Sequence, residues 1–166
     1  MQLTIDGRSS YDEVHGLKNK QKFLCPTCDA RTVFKSGNSM IKVSHRGRSA
    51  SANVPSRRCV ECGHRLVEGS DVTVFRLTAL SHLLKAEVHD PELFNAVRAA
   101  LNLQNNNLAA ILSIRRTDIW RVLEGKDQLT PGHWKSLTTS VSDRLRDATK
   151  AHHVIKVILA HEQNAA

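Results

Sequence analysis

The chain has 166 residues, 40% of them hydrophobic, a formal charge of +8 and a pI near 9.7. That length suits one ordinary domain or two small ones, and the basic excess favours a polyanionic partner, most often nucleic acid. No apolar run approaches the roughly eighteen residues of a membrane span, and the start lacks the basic and apolar regions of a secretory signal, so a cytoplasmic protein is expected.

Residues 1–22 read as an N-terminal extension, with Lys18, Lys20 and Lys22 as a solvated basic stretch. Residues 23–69 hold all four cysteines, as Cys25-Pro-Thr-Cys28 and Cys59-Val-Glu-Cys62. Each pair can grip one side of a tetrahedral ion, so Cys25, Cys28, Cys59 and Cys62 predict one structural Zn2+ per chain, or less often iron. Thiols in a reducing cytosol favour metal over disulfides. Thirty residues separate the pairs, so the segment between them must carry structure of its own. Met40 to Arg46 alternates apolar and polar residues as a half-buried strand does. Val33-Phe34 and Leu66-Val67 are shorter strand candidates, and Arg46 to Ala52 reads as a loop or hairpin tip. So small a β-rich domain needs a metal in place of a large core.

From Ser70 the pattern becomes helical. Ser70-Asp71 can cap a connecting helix over 70–89 that carries Val74, Leu77, Leu80, Leu83 and Leu84 and ends near Val88. Asp90-Pro91-Glu92 marks a second start, Thr130-Pro131 repeats that signature, and Gly125 ends the helix before it. The charge is uneven. Residues 1–69 hold twelve Lys and Arg against six Asp and Glu, a net +6, and residues 70–166 hold twelve against ten, a net +2. Binding of one zinc by four thiolates would lower the first figure by about two.

Residues 105–124 show the spacing of a helix-turn-helix. Leu108, Leu112, Ile114, Ile119 and Val122 supply the shared core, and Ala109 is small where a second helix passes close. Ser113 stands in the turn where glycine is preferred, at some cost. The second helix runs from about Arg115 or Arg116 to Glu124, and Arg115, Arg116, Thr117, Asp118, Trp120 and Arg121 would face a major groove. Arginine there pairs with guanine at about 1–3 kcal/mol of discrimination per contact. Asn105 meets phosphate or an adenine edge, and Lys126 meets phosphate. Asp118 either accepts from a cytosine amine or orients a neighbouring arginine. Trp120 either reads the groove or packs. From Ser142 to His161, Leu145, Ala148, Ile155, Ile158 and Leu159 form a helical stripe, for a core or a dimer seam.

The order Cys-Pro-x-Cys, thirty residues, Cys-x-x-Cys, a connecting helix and the helices of 97–131 resembles the MqsA-type antitoxins, with a YgiT-type zinc finger and an XRE-type helix-turn-helix. His45-Arg46-Gly47-Arg48 resembles the Arg-Gly-Arg-like turn before that family's second pair. The resemblance covers about residues 23–140. The residue patterns read as an α+β chain, with a β-rich zinc-binding domain over 23–69 and an all-α helix-turn-helix domain over 90–166, and the resemblance implies that the zinc-binding half engages a cognate toxin while the C-terminal half dimerises and binds double-stranded operator DNA. It carries the zinc ligands to the four cysteines and a recognition-helix arginine to Arg121. Thr117, Leu123 and the 22-residue extension depart from the family pattern.

Four cysteines close a tetrahedral site and leave no position for a catalytic water. No nucleophile motif, interpretable carboxylate pair or Gly-rich phosphate loop appears, so an enzyme is not expected. A DNA-binding repressor of the antitoxin type is the leading expectation. A protein–protein adaptor and an RNA- or ribosome-associated zinc ribbon are the alternatives.

Overall fold

The computed structural model describes residues 2–5, 12–14, 22–85, 90–151 and 157–161. The fold is mixed α+β. Its centre is one long antiparallel hairpin, β4 (Arg31–His45) against β5 (Arg48–Cys59), in unbroken register from Phe34 opposite Cys59 to His45 opposite Arg48. Arg46 and Gly47 form the whole turn with φ of 46° and 74°, the two positive values that a tight hairpin turn requires. Of the segment Arg46–Ala52, expected as a loop or hairpin tip, Arg46 and Gly47 are the tip and Arg48–Ala52 is strand. Its small polar residues pair across a narrow hairpin instead of facing water alone.

The other strands attach to this hairpin. β1 (Gln2–Ile5) and β3 (Lys22–Leu24) both pair antiparallel with β4. β6 (Arg65–Glu68) pairs with β5, and β2 (Asp12–Val14) lies parallel to β6. The stretch read as an N-terminal extension thus lends two strands to the sheet, while Lys18 and Lys20 fall outside the described residues. At the other terminus β7 (Val157–His161) pairs with β5 over Arg48–Ala52. The expected helical stripe is corrected here: Leu145 and Ala148 pack on the helical core, but Ile158 and Leu159 stand exposed on a strand. Ile155 lies outside the described residues. Val157, Ile158 and Leu159 suit strand as well as helix, and pairing with β5 decides between them.

Residues on one hairpin alternate between two faces, and the sheet changes which face it buries. Toward the turn, Ile41, Val43, Ala50, Ala52 and Val54 are buried with Val67. Toward the cysteines the opposite face is buried, where Phe34, Cys25, Cys59 and Leu66 cluster with Phe23. Phe23 and Phe34 meet edge to face at 6.2 Å, and the Arg57 guanidinium lies 5.9 Å from the centre of the Phe23 ring.

Helix α1 (Gly69–Leu83) begins directly after β6. Its cap residue is Glu68, without a side-chain cap bond, so the expected Ser70-Asp71 cap does not form. The helix joins both cores. Val72, Phe75 and Ala79 pack on the sheet, whereas Leu77, Leu80, Leu83 and Leu84 pack on the helices that follow. Two buried faces on one helix spread its apolar residues around the axis instead of along one stripe. The helix ends at Leu83, earlier than the expected end near Val88, as Leu84 and Lys85 already form a turn; Val88 itself lies outside the described residues. The remaining helices are α2 (Pro91–Ala100), α3 (Asn105–Leu112), α4 (Arg116–Leu123) and α5 (Pro131–Ala151). Among the described residues no helix is long and apolar enough to cross a membrane.

Ser113 ends α3 with φ 54° and ψ 39°, a left-handed conformation that lets the Ile114 N–H reach the Ala109 carbonyl. A β-carbon is disfavoured there by about 1 kcal/mol. Ser113→Gly is expected to raise unfolding stability by about 0.5–1 kcal/mol in urea titrations. A loss of stability would show that the serine side chain contributes more than its backbone strain costs.

Candidate functional site

The two Cys-x-x-Cys segments fold as twins. In the first, the Cys25 N–H donates to the Ala30 carbonyl at 3.0 Å and the Asp29 N–H to the Cys25 carbonyl at 2.9 Å. In the second, the Cys59 N–H donates to the His64 carbonyl at 2.8 Å and the Gly63 N–H to the Cys59 carbonyl at 3.0 Å. Asp29 and Gly63 occupy matching places, with φ of 53° and 75°. Gly63 signals this turn in the sequence. Asp29 does not, although aspartate is among the few other residues that tolerate the conformation.

The two turns bring all four sulfurs within 4.8 Å of one another. Cys25 Sγ lies 3.5 Å from Cys62 Sγ, and Cys28 Sγ lies 3.9 Å from Cys59 Sγ. These separations are too long for disulfides, which need about 2.05 Å. A tetrahedral ion with bonds of about 2.3 Å would set its sulfurs about 3.8 Å apart, so the site fits a metal ion such as zinc. Cys25 and Cys59 are buried beneath it, and Cys28 and Cys62 sit at the surface.

The sulfurs differ in acidity. Burial pushes the Cys25 thiol up, but the amides of Thr27 and Cys28 and the neighbouring Cys62 outweigh it and bring it down to about 7. The Ala30 amide pulls Cys28 down, yet desolvation and three nearby sulfurs push it up to about 12. Cys62 receives the matching amide of His64 and is also pushed up, by desolvation and by Cys25 and Cys59. Cys25 thus gives up its proton more readily than Cys28 and Cys62, and its charge helps hold theirs in place. A divalent ion removes that repulsion and displaces those protons.

The second candidate site is the α3–α4 pair, connected by Ser113, Ile114 and Arg115. Leu108, Ala109, Leu112, Ile119 and Val122 are buried in the helical core. The opposite side of α4 exposes Arg116, Thr117, Trp120 and Arg121, which share one face at helical spacing. Trp120 is 51% exposed, so it is not a core residue. Asp118 faces Arg115: its carboxylate accepts from the Arg115 N–H and lies 3.3 Å from Arg115 Nε. Of the two roles read for Asp118, orientation of an arginine is the one with a contact.

Two further ion pairs border this face, and no local sequence signal marks them. Arg121 Nε donates to Asp127 at 2.5 Å, and Lys126 Nζ lies 2.6 Å from Glu124. The Arg121 bond holds the Asp127 carboxyl below its ordinary value and raises the guanidinium further. Asp127 stands in a loop six residues on, beyond the reach of helical spacing rules. Asn105 is half-buried, and its carbonyl accepts from Arg98 at 3.1 Å.

The chain is thus a mixed α+β protein with a four-cysteine site suited to a metal ion and a helix pair that exposes a basic, aromatic face. No protein-family model, curated protein or solved structure matches it.

Proposed function

We propose that the chain is a sequence-specific DNA-binding transcriptional regulator, the antitoxin or autorepressor of a toxin–antitoxin type operon. The observation that carries the reading is the exposed face of α4. Ile119 and Val122 anchor the helix in the core, while Arg116, Thr117, Trp120 and Arg121 are presented together to solvent. A short helix held this way suits a major groove, with arginine for guanine edges. Arg115, Lys126 and the α3 start at Asn105 border that face and supply phosphate contacts. A homodimer would place two copies on half-sites about one DNA turn apart and occlude the operator. Zinc holds the cysteine end, and the half it stabilises engages the cognate toxin.

Gel-shift titration with the DNA upstream of the chain's own gene tests the reading. Wild-type protein is expected to shift that duplex in preference to a scrambled one. Arg121→Ala is expected to weaken specific binding by about 10- to 100-fold, the equivalent of one good base contact. Unchanged binding by an Arg115→Ala/Arg116→Ala/Arg121→Ala variant of normal stability would overturn the groove assignment. A small toxin-like gene beside this one would supply the partner.

A further inference from the structure

The positive charge of this chain does not reside mainly on α4. Of the four cations around that helix, Arg115, Arg121 and Lys126 each face a carboxylate of the chain itself. Residues 1–69, by contrast, carry a net +6.

The strand register shows where part of that charge lies. β3, β4, β5 and β6 lie side by side at the metal end. Their buried face holds Phe34, Cys59 and Leu66. On the other face Lys22 stands opposite Val33, Leu24 opposite Arg31, and Lys35 opposite Arg58, which in turn is opposite Arg65. Lys22, Arg31, Lys35 and Arg58 are exposed, and Arg65 is half-buried with its guanidinium donating to Ser39 Oγ at 2.8 Å. From Gly37 and Ser56 outward, no acidic residue stands on this face of the four strands. Beyond the four strands, the described carboxylates that border them are Asp29 and Glu61 in the cysteine turns and Asp12 and Glu13 on β2, opposite Leu66 and Val67, where they pair with His64 and Arg76.

Like charges directly opposite one another weaken a sheet. Lys35, Arg58 and Arg65 nevertheless form an uninterrupted row across three strands. Strands about 4.8 Å apart, and residues about 6.6 Å apart along each strand, set these cations in a grid that suits a chain of phosphates. The apolar side chains between them, Leu24 at 63% and Val33 at 42% exposure, offer no hydrogen bond to a base edge.

We infer that this sheet face at the metal end is a second nucleic-acid surface, one that binds the phosphate backbone of duplex DNA without reading sequence. The inference rests on the reading of the chain as a DNA-binding protein and adds to it a division of labour. The sheet supplies salt-dependent affinity, and α4 supplies preference for one sequence.

The test titrates two fluorescent 30-bp duplexes, the upstream sequence and a scrambled one, from 50 to 200 mM KCl. The proteins are wild type, Arg31→Gln/Lys35→Gln/Arg58→Gln, and Arg116→Ala/Arg121→Ala, all zinc-loaded. Each phosphate contact removed should lower the slope of log K against log salt by about 0.9. The sheet variant is therefore expected to lose about 2–3 from that slope and to bind both duplexes about 10- to 100-fold more weakly at 100 mM, its preference between them intact. The helix variant is expected to lose the preference. Arg58 packs against Gly63 in the cysteine turn, so Arg31→Gln/Lys35→Gln, both at exposed positions, provides a second variant whose slope should fall by about 2.

Wild-type binding that shows no preference but disappears in the sheet variant upholds the sheet surface while removing the groove reading. Wild-type slope and affinity in both sheet variants overturn the inference, whatever the helix variant does, and leave this face to an acidic protein partner. Failure of the wild type to bind either duplex overturns both.

Discussion

Replacement of the buried Cys59 by serine is expected to abolish one-to-one zinc binding and to melt the metal end of the sheet while the helical core survives. Cys59 closes β5 and packs with Cys25, Phe34 and Leu66, and among the described residues those four, with Phe23 against them, form the buried hydrophobic cluster at that end. So few side chains cannot offset the entropy of ordering β3 and two turns, and the metal must supply the difference. Metal binding contributes about 10–16 kcal/mol to the folding of zinc-finger peptides, so loss of the ion outweighs loss of one thiol. The larger core has no such need, because α1 carries Leu77, Leu80 and Leu83 into the helical cluster on a separate face. Cys28→Ser, at the surface, is expected to weaken metal binding with a smaller loss of packing. Because Cys28 and Cys62 must give up protons to bind, affinity should also fall as the pH is lowered. Metal analysis, circular dichroism and hydrogen exchange check the prediction. A zinc-free protein with native protection in β3 and at Cys59 would overturn it.

Sequence exposes most of this site and less of the fold around it. The cysteine spacing points to the four sulfurs that the fold brings together, because a tetrahedral ion needs four thiolates and the chain has four cysteines. The capping signals at Asp90-Pro91 and Thr130-Pro131 are local, and helices start where they stand. The left-handed Ser113 is equally local, fixed by the distance between two helices. What sequence hides is long-range pairing. Nothing within residues 2–5 or 157–161 states that both will join the hairpin, one beside β4 and the other beside β5. Nor does alternation reveal that the buried face of the sheet changes between Phe34 and Ile41. The ion pair of Arg121 with Asp127 is hidden for the same reason, since a loop sets its geometry. The fold at the two ends of the chain depends on partners distant in sequence, and residue patterns describe only neighbours.

Asp90→Ala is expected to cost about 1–2 kcal/mol in stability, chiefly by the loss of a helix cap. Asp90 performs three tasks at once. Its carboxylate accepts from the Leu93 N–H at 2.8 Å and so caps α2. It accepts from Arg46 Nε at 2.6 Å and lies 3.0 Å from His45 Nε2. His45 and Arg46 stand at the tip of the long hairpin, so one side chain fastens the sheet to the helices. Loss of a cap costs about 0.5–2 kcal/mol. Arg46 is mostly exposed, and its ion pair adds little. The His45 imidazole, 7% exposed, lies close to the carboxylate, but its Nε2 makes no hydrogen bond there, so the cap accounts for most of the cost. Burial pushes the Asp90 carboxyl up, but the Leu93 amide, Arg46 and His45 outweigh that and hold it below its ordinary 3.8. A carboxyl lowered by folding stabilises fully above its unfolded value and loses that contribution as the pH falls through the folded one. The wild-type advantage over Asp90→Ala should therefore be complete at pH 7 and shrink below about pH 4. Asp90→Asn can still accept from Leu93, so it should cost less than alanine and lose much of that acid dependence. Urea unfolding at pH 7 and pH 3 separates the three proteins. Equal stability of wild type and Asp90→Ala at pH 7 would show that the hairpin tip is held to the helices by packing alone.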